Sequence, residues 1–135
     1  MNPKSLTYGT VAGFVALFVA GYLLYELLLG NFYAANMATV GMNAEPDMVK
    51  MTLSNVVYAF FLTFVFSRWA GIKTAKAGAT AGAIIGLLLG IYFGLGMAAW
   101  MSGYTTTLLL VDPLVGAVWT ACGGAAVGFA LGKAD

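Results

Sequence analysis

Glu26, Asn55 and Asp112 interrupt long apolar stretches, and any chemistry this chain performs has to start from them. An ionisable group inside such a stretch is costly to bury and is a candidate site by default. Tyr22 and Tyr25 precede Glu26 at helical spacing, Ser54 adjoins Asn55, and Tyr58 lies three residues beyond it. Brought to one depth, two carboxylates and an amide would form a polar cup able to hold a cation, exchange a proton or receive a small polar solute. Each residue also has a plainer reading. Asp112-Pro113 suits the cap and first position of a helix, since proline lacks the N–H that would be orphaned there. Glu26 suits headgroup level or a pairing with Lys50, and Asn55 an interhelical hydrogen bond worth about 0.6 kcal/mol.

Other chemistries find little support. Met37, Met42, Met48, Met51, Met97 and Met101 could offer thioethers to Cu(I), but methionine is also an ordinary filler of apolar interfaces. No histidine exists to complete such a site, and Cys122 is the single cysteine, expected buried and inert in mid-span. Zinc sites, histidine relays and disulfide frameworks are thereby nearly excluded, and the sequence contains no HExxH and no phosphate loop followed by Lys and Ser/Thr. Gly94-Leu95-Gly96 follows no strand and is not a dinucleotide signal. The expectation is no enzyme, no metal and no cofactor.

Composition sets the medium. The chain has 135 residues, 61% of them hydrophobic and 8% charged, with a mean hydropathy of +0.92. Soluble domains carry about a quarter charged residues, so a water-facing surface cannot be built from this inventory. A net charge of +1 leaves no footprint for nucleic acid. The chain reads as one integral membrane domain over residues 1–135, with the bilayer as its first partner.

Four stretches reach the roughly 20 residues needed to cross the hydrocarbon: 6–29, 47–67, 75–101 and 113–132. The run 104–111 is too short to span and is expected to lie at the interface, re-enter or extend a neighbour. If the spans alternate, Lys4, Arg68, Lys73, Lys76 and Lys133 share one side, and Lys50 faces the other beside Glu45 and Asp47. That bias predicts both termini in the cytoplasm and the 30–45 loop outside, with Trp69 at the inner interface and Trp100 and Tyr104 at the outer. The first stretch, at about 24 residues, is too long for a signal-peptide core and reads as a retained span. The fold class is all-α, an integral membrane four-helix bundle.

The most regular pattern is a ladder of glycines four residues apart: Gly78, Gly82, Gly86, Gly90 and Gly94. Gly116, Gly124 and Gly128, with Thr120 and Gly132, repeat it in the fourth span. Gly9, Gly13 and the row Ala12, Ala16, Ala20 echo it in the first. Lipid offers little hydrophobic drive between helices, so small residues serve close backbone approach. Each rung drifts about 40° around the helix, which predicts that no single straight neighbour faces all five glycines. The expectation is one partner for each half, within the bundle or across a homo-oligomer or other membrane subunits. The second span has no glycine and several phenylalanines, and reads either as the most lipid-exposed helix or as the filler of those grooves.

The chain carries Gly21-Tyr22-Leu23-Leu24-Tyr25, Gly30-Asn31-Phe32-Tyr33 and the turn Arg68-Trp69-Ala70-Gly71-Ile72 leading to Ala77-Gly78-Ala79. It continues with Leu110-Val111-Asp112-Pro113 and ends in Gly128-Phe129-Ala130-Leu131-Gly132-Lys133. Together these resemble small four-helix bacterial inner-membrane proteins grouped as a domain family of unknown function. The resemblance implies four spans in a bacterial plasma membrane and carries no activity, cofactor or catalytic residue. Two functions follow as expectations. The first is a non-enzymatic structural or accessory protein that self-associates or joins a larger membrane complex. The second is a small oligomeric transporter or channel built on the polar cluster of Glu26, Asn55, Asp112, Tyr22 and Tyr25.

Overall fold

A computed structural model describes residues 3–37, 47–100 and 104–134. Met42, Glu45, Pro46, Met101 and the rest of the second half of the expected 30–45 loop, 38–45, lie outside the described residues. Among those described there are helices and no strands. Helix α1, Pro3–Gly21, runs on through a wider π-helical segment, Tyr22–Leu28. A short helix α2 covers Gly30–Met37. Helix α3, Met48–Val65, also widens at its end, over Phe66–Ala70, and α4 covers Ala75–Trp100. Helix α5 covers Thr106–Ala134. Four of these rods, Pro3–Leu28, Met48–Ala70, Ala75–Trp100 and Thr106–Ala134, are long and apolar enough to cross a membrane.

Local chemistry sets the ends. Asp47 caps α3, its carboxylate accepting the N–H groups of Val49 at 3.1 Å and Lys50 at 3.3 Å. The other end of α3 stops at Gly71, whose φ of 63° is a left-handed conformation that glycine adopts without strain. Thr74 then caps α4 by accepting from the Ala77 N–H at 3.1 Å.

The last helix begins earlier than the Asp112-Pro113 pair suggests. Thr105 caps it, accepting from the Leu108 N–H at 3.1 Å, so 106–111 extends α5 rather than forming a loop. Asp112 is therefore no cap, and Pro113 lies inside the helix. Its ring rests on α4: a Cβ at Gly90 would fall 2.7 Å from the Pro113 Cα.

Helix α5 is the most buried of the four rods, with α4 along one side and α1 along another, and α3 packs chiefly on α1. On the α4 side the α4–α5 seam is formed by glycine at five successive rungs. A Cβ on Gly78, Gly82 or Gly86 would overlap the carbonyl oxygens of Gly124, Thr120 and Gly116 respectively. On Gly94 it would sit 3.2 Å from Leu109 Cδ1. All five rungs thus face α5, which corrects the expectation of two partners. The row on α5, Gly116 to Gly132, also repeats every four residues, so the two rows climb together where a straight featureless rod would drift away.

The α1 seam is also narrow. Its buried residues are Ser5, Gly9, Gly13 and Leu17, again four apart. Thr63 occupies the space over Gly9, Val127 and Ala59 that over Gly13, and Leu17 fills the notch at Gly123. No phenylalanine of α3 fills these grooves. Phe60 and Phe61 are exposed, while Phe66 joins Leu17, Leu62, Val127 and Leu131 in the core. The most exposed rod is α1 rather than α3. Cys122 is exposed on α5, not buried, because the face opposite its glycines meets no other helix.

Two glycines on α4 separate close packing from helix propensity. Gly82→Ala is expected to destabilise the protein by about 1–3 kcal/mol, because Thr120 backbone would have to move. Gly96 meets nothing within 4 Å, so Gly96→Ala should be neutral or stabilise by up to about 1 kcal/mol. Unfolding curves in mixed micelles measure both.

Candidate functional site

Both termini and the turn at Gly71 share one end of the bundle, here the terminal end; α2 and the starts of α3 and α5 share the other, the loop end. At the loop end the helices part. Two adjoining cavities open there, each about 480 Å³. The first lies between α1 and α3, and its wall includes Tyr22, Tyr25, Glu26, Met51, Asn55 and Trp119. The second is floored by Asp112, Gly116, Trp119 and Thr120 of α5, with Tyr58 of α3 and Phe93 of α4 on its sides. Tyr25, Ser54 and Trp119 line both and form the partition.

Helical spacing explains who faces inward. Asp112, Gly116, Trp119 and Thr120 fall at i, i+4, i+7 and i+8, one face of α5. Met51, Ser54, Asn55 and Tyr58 do the same on α3, and Phe18, Tyr22 and Tyr25 with Glu26 on α1. Gly86, Gly90 and Gly116 line the second cavity where the α4–α5 seam borders it.

Trp119 is the central side chain. Its indole Nε1 donates to the Leu17 carbonyl at 2.8 Å, and Gly21 makes room for the ring. The Tyr58 ring lies 5.2 Å away and the Tyr25 ring 6.0 Å away, edge-on. Tyr25 in turn meets Tyr33 of α2 at 5.1 Å. Such offset and edge-to-face pairs add about 0.5–1.5 kcal/mol each beyond their buried area. The Tyr58 hydroxyl pairs with Thr120 Oγ1 at 2.8 Å.

Asp112 is held from α2. The Tyr33 hydroxyl donates to its Oδ1, and Thr105 Oγ1 donates to Asn36 Oδ1 at 2.9 Å, so two side-chain bonds tie α2 to the head of α5. Burial, then the hydrogen bond and charge of Asp112, push the Tyr33 phenol far above the ordinary tyrosine range. Tyr104 is raised as well, by burial first and Asp112 second.

The expected cup is thus divided. Glu26, Asn55 and Tyr22 belong to the first cavity, Asp112 and Tyr58 to the second, and of the expected residues Tyr25 and Ser54 border both. Asn55 is buried and donates to the Met51 carbonyl at 3.2 Å, a bond within its own helix rather than between helices. Glu26 does not take Lys50, which lies 3.9 Å from Asp47 on an exposed turn. Trp119 and Tyr33 went unforeseen, because a ring in an apolar run reads as packing. The seven-residue step from Asp112 to Trp119 was the available signal. Among the described residues no group of three metal-ligating side chains occurs, and neither cavity is lined by lysine or arginine. The arrangement offers no activated nucleophile; it can hold a molecule. No protein-family model, curated protein or solved structure matches the chain.

Tyr33→Phe removes a hydrogen bond to a charged group, worth about 1.5–3 kcal/mol. Amide exchange in α2 is expected to speed up tenfold or more, with α4 and α5 unchanged. Because the raised phenol favours the neutral form, this support is intact below the ordinary tyrosine pKa near 10 and is lost only as pH climbs through the raised value. Tyrosinate absorbance near pH 10 should accordingly be the same in Tyr33→Phe and the parent.

Proposed function

We propose that this chain is a non-enzymatic accessory protein of a bacterial inner membrane, and that it binds a small, mostly apolar molecule at the loop end of its bundle. The observation that carries this reading is the pair of cavities standing over a closed floor. Towards the terminal end, Leu17, Leu62, Phe66, Val127 and Leu131 are packed with almost no exposed surface. Apolar walls with a few fixed polar groups are the usual makeup of a small-molecule site. A sealed floor suits holding over conduction.

The basic residues favour an orientation. Lys4, Arg68, Lys73, Lys76 and Lys133 cluster at the terminal end, and the positive-inside tendency supports an orientation with that end in the cytoplasm and the cavities on the outer side. The resemblance to small four-helix bacterial membrane proteins supports the same membrane. Self-association through the glycine ladder is not favoured, since α5 of the same chain already occupies it. A larger assembly would instead use the exposed apolar faces of α1, α3 or α4. The transport reading draws on Glu26 and Asp112, and requires the core below them to open.

Native mass spectrometry of gently solubilised membranes tests the binding reading. The parent chain should carry a small-molecule mass. Ser54→Phe, which fills the partition common to both cavities, should release it while leaving any protein assembly intact. A parent without bound mass, or retention by Ser54→Phe, would overturn the reading. Transport is tested in proteoliposomes, where solute flux equal in the parent, in Glu26→Gln and in Asp112→Asn removes it.

A further inference from the structure

We propose that the second cavity is a site for a small organic cation, with Asp112 as its counter-charge and Tyr25, Tyr58, Phe93 and Trp119 as its aromatic wall. The inference rests on the binding reading above and specifies the ligand. Asp112 lines a mostly apolar hollow that no lysine or arginine lines. An anion entering it would meet a carboxylate across a medium of low dielectric, where like charges repel strongly. A neutral apolar molecule would strip water from Asp112 and leave the charge uncompensated, which is costly. A cation meets both demands.

The aromatic groups specify an organic cation rather than a metal ion. The Trp119 indole N–H is committed to the Leu17 carbonyl and the Tyr58 hydroxyl to Thr120. What they leave for a ligand is ring surface. Ring faces attract alkylated ammonium groups, with about 0.5–2 kcal/mol per contact, rising as water is excluded. Inorganic cations are usually held by several charged or strongly donating ligands, and among the described residues no histidine, cysteine or further carboxylate joins Asp112 to make a group of three. Tyr33 meanwhile fixes the carboxylate by donating to Oδ1, so the counter-charge is positioned before the ligand arrives. Glu26, across the partition in the first cavity, adds a second negative charge at the same end of the bundle.

The full-length chain in maltoside micelles, with Trp69→Phe and Trp100→Phe, keeps Trp119 as the sole tryptophan reporter. Phenyltrimethylammonium and its uncharged isostere tert-butylbenzene are titrated against Trp119 fluorescence. The cation should bind at least tenfold tighter than the isostere. Asp112→Asn should remove that preference, and Glu26→Gln should weaken it only a few-fold. Should Asp112→Asn fail to fold, the ratio of the two probes in the parent still decides. Competition by glycerophosphocholine would assign the cation to a lipid headgroup, and its absence to a free solute; both fit the site. Equal affinity for both probes, or a preference that survives in Asp112→Asn, overturns the cation assignment while leaving a binding cavity. No response of Trp119 to either probe overturns the cavity reading as well.

Discussion

Backbone-to-backbone contact between α4 and α5 is the constraint on which the rest of the molecule depends. Lipid tails are as apolar as leucine, so burying leucine against leucine gains little inside a bilayer. Removing side chains lets two helices approach until main-chain atoms touch, and dispersion then acts along the whole seam. Gly78, Gly82 and Gly86 meet the carbonyl groups of α5 itself, and Gly90 meets the ring of Pro113. No larger residue fits at those points without separating the helices.

That seam also shapes the cavities. Helix α4 is drawn onto α5, while α3 is held by α1 through Thr63 over Gly9 and Ala59 over Gly13. Among the described residues α3 and α4 have no packed seam with each other. Towards the terminal end Phe66, Leu62 and Leu131 fill the space between. Towards the loop end the same space is left to Tyr58, Phe93 and Trp119, which border a hollow. Side-chain size therefore divides one bundle into a sealed half and an open half. The proline inside α5 and the π-helical end of α1 both fall in the open half, where Tyr22, Tyr25 and Glu26 turn towards the first cavity. Wide helical turns of this kind recur at functional sites.

Much of the architecture was legible in the chain. Four apolar stretches, a run of glycines four apart and the near absence of charge lead to a membrane helical bundle by length and composition alone. The site was only partly legible. Glu26, Asn55, Tyr22, Tyr25 and Asp112 do border cavities, yet in two compartments, because the partition is built by Trp119 from α5 against Tyr25 from α1. The start of α5 was missed because Pro113 reads as a helix opening, whereas Thr105 supplies the cap eight residues earlier. Trp119 and Tyr33 were missed because their partners, Leu17 and Asp112, are remote in sequence.

By itself the sequence determined which segments are helices apolar enough for lipid, and which helix faces are bare enough to meet, since both follow from side-chain size and polarity at fixed periodicity. Tertiary structure alone decided that one neighbour takes all five rungs of the glycine ladder, and that Asp112 faces an aromatic hollow rather than capping a helix. Those outcomes depend on how two rows of residues climb past each other and on where remote rings come to rest, quantities that local spacing does not contain.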